Sequence, residues 1–126
     1  ADAIVRGNLK KAVFDLHQST ERFYHCSLLV CSFYTPHVHN LAFLRTQAER
    51  LDPRLSDAWP REMKADRSRF EKLKEAYIKA RYSKHYRISE AELEWLGARV
   101  TDLAQIVKAI CEERISQLEN TAKQAG

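Results

Sequence analysis

From Ile4 to about Tyr34 the apolar positions Val5, Leu9, Ala12, Val13, Leu16, Phe23, Tyr24, Leu28 and Cys31 recur at three- and four-residue steps. That spacing is the stripe of an amphipathic helix and predicts one long helix with room for a kink. Its second half, Cys26 to Phe33, is apolar on nearly every side, so neighbours are expected to cover it all round and place it at the centre of the core. Thr35-Pro36 is expected to stop the helix, because proline disfavours helical geometry in the preceding residue and has no N–H. A second helix is predicted from His39 to Leu51, with Leu41, Leu44, Ala48 and Leu51 on one side and Asp52-Pro53 at its end. Arg54 to Pro60 reads as a connector with space for one helical turn. A third helix is expected from Pro60 or Arg61 to about Tyr82, charged and solvated over its first two turns, with Phe70, Leu73, Ala76, Tyr77 and Ala80 facing inward. Ser83 to Ile88 reads as a loop. Ser89-Glu90-Ala91-Glu92 has the form of a capping box, and the last helix steps through Leu93, Leu96, Val100, Leu103, Val107, Ile110 and on to Leu118. No strand, repeat or low-complexity segment stands out. The pattern predicts an all-α, up-and-down antiparallel bundle of four to five helices.

Composition narrows this picture. The 126 residues suit one domain, 1–126. With 44% hydrophobic and 30% charged residues and only three Gly, the chain should fold, and it cannot build a glycine-rich phosphate cradle. No Gly-x-Ser-x-Gly, P-loop or Gly-x-Gly-x-x-Gly is present, which sets aside an autonomous kinase, dehydrogenase or serine hydrolase. Cys26, Cys31 and Cys111 are odd in number and lack Cys-x-x-Cys spacing, so neither a disulfide framework nor a structural zinc site is implied. No cofactor and no metal are expected, and the reducing cytoplasm is the simplest location. The stretch Phe23 to Ala42, free of charged residues but for His25, His37 and His39, is too polar and too broken by Pro36 for a membrane span. The chain begins Ala1-Asp2-Ala3 and its one methionine is Met63, which reads as a processed chain or, in preference, a domain taken from a longer one.

The net charge of +4 is where chemistry enters. Tyr77 to Arg87 holds four basic residues, three tyrosines and a histidine with no acid. Cations interleaved with aromatics neutralise phosphates and stack on bases, although cations near a helix C-terminus also stabilise the helix itself. Lys79, Arg81, Lys84 and Arg87 alone equal the whole net charge. On the first helix His17, Glu21 and His25 lie at i, i+4 and i+8. One turn of separation allows imidazole and carboxylate to share a metal, but buried histidines bonded to a neighbouring carboxylate or tyrosine are commoner. His37 and His39 sit two apart at a loop-to-helix junction and diverge.

Five segments, taken together and in order, resemble one family: Phe14-Asp-Leu-His-Gln-Ser-Thr-Glu-Arg-Phe, Pro36-His-Val-His-Asn-Leu, Leu51-Asp-Pro-Arg-Leu, Ala80-Arg-Tyr-Ser-Lys-His-Tyr and Glu92-Leu-Glu-Trp-Leu. The chain resembles HEPN domains, and more narrowly the helical half of bacterial proteins that join a nucleotidyltransferase domain to a HEPN domain. The resemblance implies a bundle that forms a homodimer and uses a basic cleft to bind a nucleotide, another phosphorylated ligand or RNA, as the partner of a nucleotidyltransferase domain and without catalysis of its own. Arg81, Tyr82, Lys84, His85 and Tyr86 are then the nucleotide-binding candidates, with His17, Glu21 and His39 lining the same cleft. Ribonuclease members of the family carry an Arg and a His four to six residues apart. Here Arg81 and His85 are separated by three, and a metal-independent ribonuclease acting as a dimer is the alternative. A module that serves only dimerisation is the third reading.

Overall fold

The computed structural model describes residues 3–125, with side chains from Arg6 onward. It is an all-α bundle. The helices are α1 (Ala3–Ser32), α2 (Leu41–Leu51), α3 (Lys64–Tyr82) and α4 (Glu90–Ala125), with a short 3-10 helix, Pro53–Ala58, between α2 and α3. Successive contacts show α1 and α3 running antiparallel: Lys10 meets Ser83, and His17 meets Tyr77. They show the same for α3 and α4, where Lys72 pairs with Glu92 and Arg69 lies over Trp95.

Helix ends follow local chemistry, with departures from expectation. α1 stops at Ser32, ahead of Thr35-Pro36. Phe33 turns into the left-handed region at φ 60° and donates its N–H to the Leu29 carbonyl at 2.8 Å, closing the last turn in the manner usually left to glycine. α3 begins at Lys64 and not at Pro60 or Arg61. The buried Trp59 indole anchors the chain just before it, so Pro60 to Met63 cross the surface before the helix can start, and Met63 offers no side-chain cap. The end of α2 at Asp52 and the start of α4 at Ser89 are as the sequence predicts, while α2 begins at Leu41, two residues after His39. Asn40 caps α2, accepting from the Phe43 N–H at 3.1 Å. Asp52 closes α2 and caps the 3-10 helix through the Arg54 N–H. Ser89 and Glu92 exchange reciprocal bonds of 3.1 and 3.0 Å, a complete capping box. Ser89→Ala should therefore lower the free energy of urea unfolding by about 1 kcal/mol.

The core is one cluster that runs from Val13, Tyr24 and Leu28 of α1 through Leu41, Leu44 and Ala48 of α2 to Leu73 and Ala76 of α3 and Leu96, Leu103 and Val107 of α4. Leu55, Ala58 and Trp59 of the connector belong to it fully. Trp59 donates its indole N–H to the Tyr24 hydroxyl at 2.8 Å and packs edge-on to Phe70. The expectation that Cys26 to Phe33 is covered all round is corrected: Leu28 is buried, but Leu29 is 52% and Phe33 67% exposed. Tyr34, Phe43 and Leu51 are exposed as well and line one groove beside Leu28. No helix among the described residues is long and apolar enough to cross a membrane.

Candidate functional site

A stripe at four- and three-residue steps on α1, Lys10, Phe14, His17 and Glu21, faces the C-terminal turns of α3. That spacing puts the four side chains on one helix face. The non-helical segment 33–40 returns the chain to the middle of α1, so that His39 arrives beside Glu21 and Tyr77. Three separate stretches of sequence thus converge at one place.

At its centre lies His17, fully buried, with hydrogen-bond partners for neither ring nitrogen. Its Nδ1 is 3.8 Å from Glu21 Oε2, too far for a hydrogen bond. Glu21 is itself buried; Oε1 accepts from His39 Nδ1 at 2.7 Å, and Oε2 has no partner. Burial pushes the His17 imidazole down to about 4, opposed by Glu21 and reinforced by His39 and Arg81. His17 is therefore neutral at pH 7, and one of its nitrogens is an acceptor and the other a donor. Three buried hydrogen-bonding atoms left open side by side are uncommon, because each costs about 1–3 kcal/mol.

Aromatic rings and a cation close the site toward solvent. His39 stacks on Tyr77 with 4.6 Å between centroids and 11° between planes. The Arg81 guanidinium lies 4.7 Å from the Phe14 ring centre, 5.0 Å from Tyr77 and 5.1 Å from Tyr82. Its Nε donates to the Tyr77 carbonyl at 3.0 Å, which fixes the head group while the other guanidinium nitrogens remain available. Tyr82 is 73% exposed. Lys10 reaches across from α1 to donate to the Ser83 carbonyl at 3.2 Å.

The structure brings Arg81, Tyr82, His17, Glu21 and His39 together and separates the rest of the predicted set. α3 ends at Tyr82, and its cap Ser83 leads into an irregular segment. His85 therefore does not continue the helical face that carries Arg81. Its backbone N–H is held by Ser83 Oγ at 3.2 Å, and it lines a separate groove with Lys72, Glu75 and Arg87. Tyr86 is buried, and its hydroxyl donates to the Lys72 carbonyl at 2.7 Å. Burial raises that phenol well above its ordinary range. Its ring belongs to the core, and the little of it that is exposed lines the His85 groove and not the cluster around Arg81. Lys84 is exposed on the loop, where its carbonyl accepts from Arg87.

The local charge is also redistributed. Lys79 pairs with Glu75 at 3.3 Å and leaves the predicted cluster of four. Lys10 takes its place from α1, and among the described residues Lys10, Arg81, Lys84 and Arg87 have no carboxylate partner. Phe14 and Lys10 are the site residues that reading for unusual composition passed over. Their signal was their register with His17 and Glu21. Among the described residues no three His, Cys, Asp or Glu side chains are disposed to hold a metal, and His25, half-buried, is not part of the cluster.

Comparison with known proteins adds no identity: no family model and no curated protein matches this chain.

Proposed function

We propose that the chain is a HEPN-type helical module that binds a nucleotide or another phosphorylated ligand beside a nucleotidyltransferase domain, without catalysis of its own. The observation that carries the reading is Arg81, an exposed guanidinium set among Phe14, Tyr77 and Tyr82 with no carboxylate to neutralise it. A cation on an aromatic platform suits a ligand with a phosphate and a flat base, since the cation takes the phosphate and a ring takes the base. Tyr82, with its ring largely in solvent, is the stacking candidate. Lys84 and Lys10 add positive charge on either side. The unpartnered His17 and Glu21 atoms supply one donor and two acceptors behind the aromatic layer.

The separation of Arg81 from His85 removes the shared helix face that a ribonuclease pair would use, so binding is preferred to cleavage. The homodimer that goes with the family resemblance has the exposed apolar side chains of Tyr34, Phe43 and Leu51, which share one groove, to use.

Calorimetric titration with AMP and GMP tests the reading. Arg81→Ala should weaken binding about tenfold or more, the worth of one charge-assisted hydrogen bond, and Lys84→Ala should weaken it less. Unchanged affinity in both variants would remove this site from consideration.

A further inference from the structure

A second concentration of positive charge lies away from Arg81 and was not apparent in the sequence, because its members come from three elements. Arg45 and Arg50 project from α2, Arg61 from the surface segment before α3, and Arg67 from the first turns of α3. They line one open groove of about 510 Å³ between α2 and α3, a volume within the range of small-molecule sites.

The groove is built around Arg45. Only 13% of its side chain is exposed; Nε bonds to Glu49 at 2.9 Å, Nη2 donates to the Trp59 carbonyl at 3.3 Å, and the guanidinium lies 4.4 Å over the Phe70 ring. Arg61 reaches the same Glu49 carboxylate. One carboxylate therefore serves two guanidinium groups. The other acid of the groove, Glu71, is held by Lys74 at 2.8 Å. Arg50 and Arg67 have no carboxylate partner among the described residues. Arg67 instead donates to the Arg61 and Glu62 carbonyls, which holds the segment before α3 against the helix. Burial, and for Arg61 also the charge of Arg45, draws the Arg45 and Arg61 guanidinium groups below their ordinary range. Crowded like charges of this kind are relieved by an anion, and guanidinium forks match phosphate oxygens in pairs.

We propose that this groove binds an oligophosphate group, either free or as the tail of a nucleoside triphosphate. Four guanidinium groups against one shared carboxylate call for more than one negative charge, which a chain of phosphates carries within a few ångströms. The rigidly held Arg45 forms the floor, and the exposed Arg50 and Arg67 close on the ligand from the two helices. The site does not rest on the nucleotide reading of Arg81: Phe70 and Arg81 are eleven residues apart, about 16 Å along α3.

The test is calorimetric titration of the whole chain with inorganic tripolyphosphate. Arg50 makes no side-chain hydrogen bond among the described residues, so Arg50→Gln leaves the fold intact and should weaken binding several-fold; Arg50→Gln with Arg67→Gln should weaken it tenfold or more, and lysine at both positions should restore part of the loss. Arg81→Ala should leave it within a factor of two. Equal affinity in the glutamine variants, loss in Arg81→Ala alone, or no binding to the unaltered chain would overturn the proposal. ATP titrated into the Arg81→Ala chain identifies the source: tighter binding than tripolyphosphate assigns a nucleoside triphosphate, and equal or weaker binding assigns a free oligophosphate. Failure of AMP to bind, with tripolyphosphate still bound, would reject the Arg81 reading and leave this one standing.

Discussion

Replacing Trp59 with alanine is expected to lower the free energy of unfolding by about 4–5 kcal/mol, the combined cost of a large core cavity and an orphaned buried hydroxyl. Trp59 is 1% exposed and sits where the connector, α1, α3 and α4 meet: it bonds Tyr24, packs 4.9 Å from Phe70 and lies 6.4 Å from Trp95. Removing the indole opens a void that the long helices cannot collapse without moving together. It also leaves the Tyr24 phenol, which burial already pushes far above its ordinary range, without its hydrogen-bond donor. Small domains have only about 5–15 kcal/mol of stability in total, so this one change should bring the chain close to unfolding at room temperature. Trp59→Phe keeps a ring and loses the N–H, and should cost about 1–3 kcal/mol. Urea unfolding of the two variants checks both figures. A loss below about 1 kcal/mol for the alanine variant would show that the connector is not part of the core.

The second large effect is acid sensitivity written into His17. Its imidazole has an ordinary value of 6.5 and is pushed down to about 4 in the folded chain, chiefly by burial. The unfolded chain therefore takes up a proton near pH 6.5 that the folded chain refuses until about pH 4. Stability from this group is complete above pH 6.5, falls as the pH drops through that interval, and levels off below it. A shift of this size corresponds to about 3 kcal/mol. His17→Phe keeps a ring of similar size in the same place and removes the proton site. The stability of the unaltered chain relative to His17→Phe should thus fall by about 3 kcal/mol between pH 7 and pH 4, measured by urea unfolding across the range. A difference that stays constant with pH would show that His17 is not held neutral by the fold.

These two residues also show what could be read in the sequence. The long helices carry enough turns for their periods to be visible, and α2 and α4 also carry their stop and start signals at Asp52 and Ser89. The 3-10 segment with Trp59 does not: six residues contain no measurable period, and a buried tryptophan looks like any other in a connector. The apolar run from Cys26 to Phe33 misled for the opposite reason. Composition gives its hydrophobicity but not how many neighbours reach it, and Leu29 and Phe33 stay exposed. At the candidate site Arg81, Tyr82, His17, Glu21 and His39 were legible as chemistry. The end of α3 near Tyr82 and the loop after it were legible too; that Tyr86 turns into the core, its hydroxyl bonded to the Lys72 carbonyl, and that His85 lines another groove were not. The arginine groove was invisible because Arg45, Arg61 and Arg67 meet only after folding.

The most direct test of the central claim is mapping the amide chemical shifts of the isotopically labelled chain as AMP is added. Binding at the Arg81 site predicts saturable shifts gathered at Phe14, His17, Glu21, His39 and Tyr77 to Lys84, all lost in Arg81→Ala. Shifts confined to other parts of the chain, or shifts that survive that substitution unchanged, would contradict it.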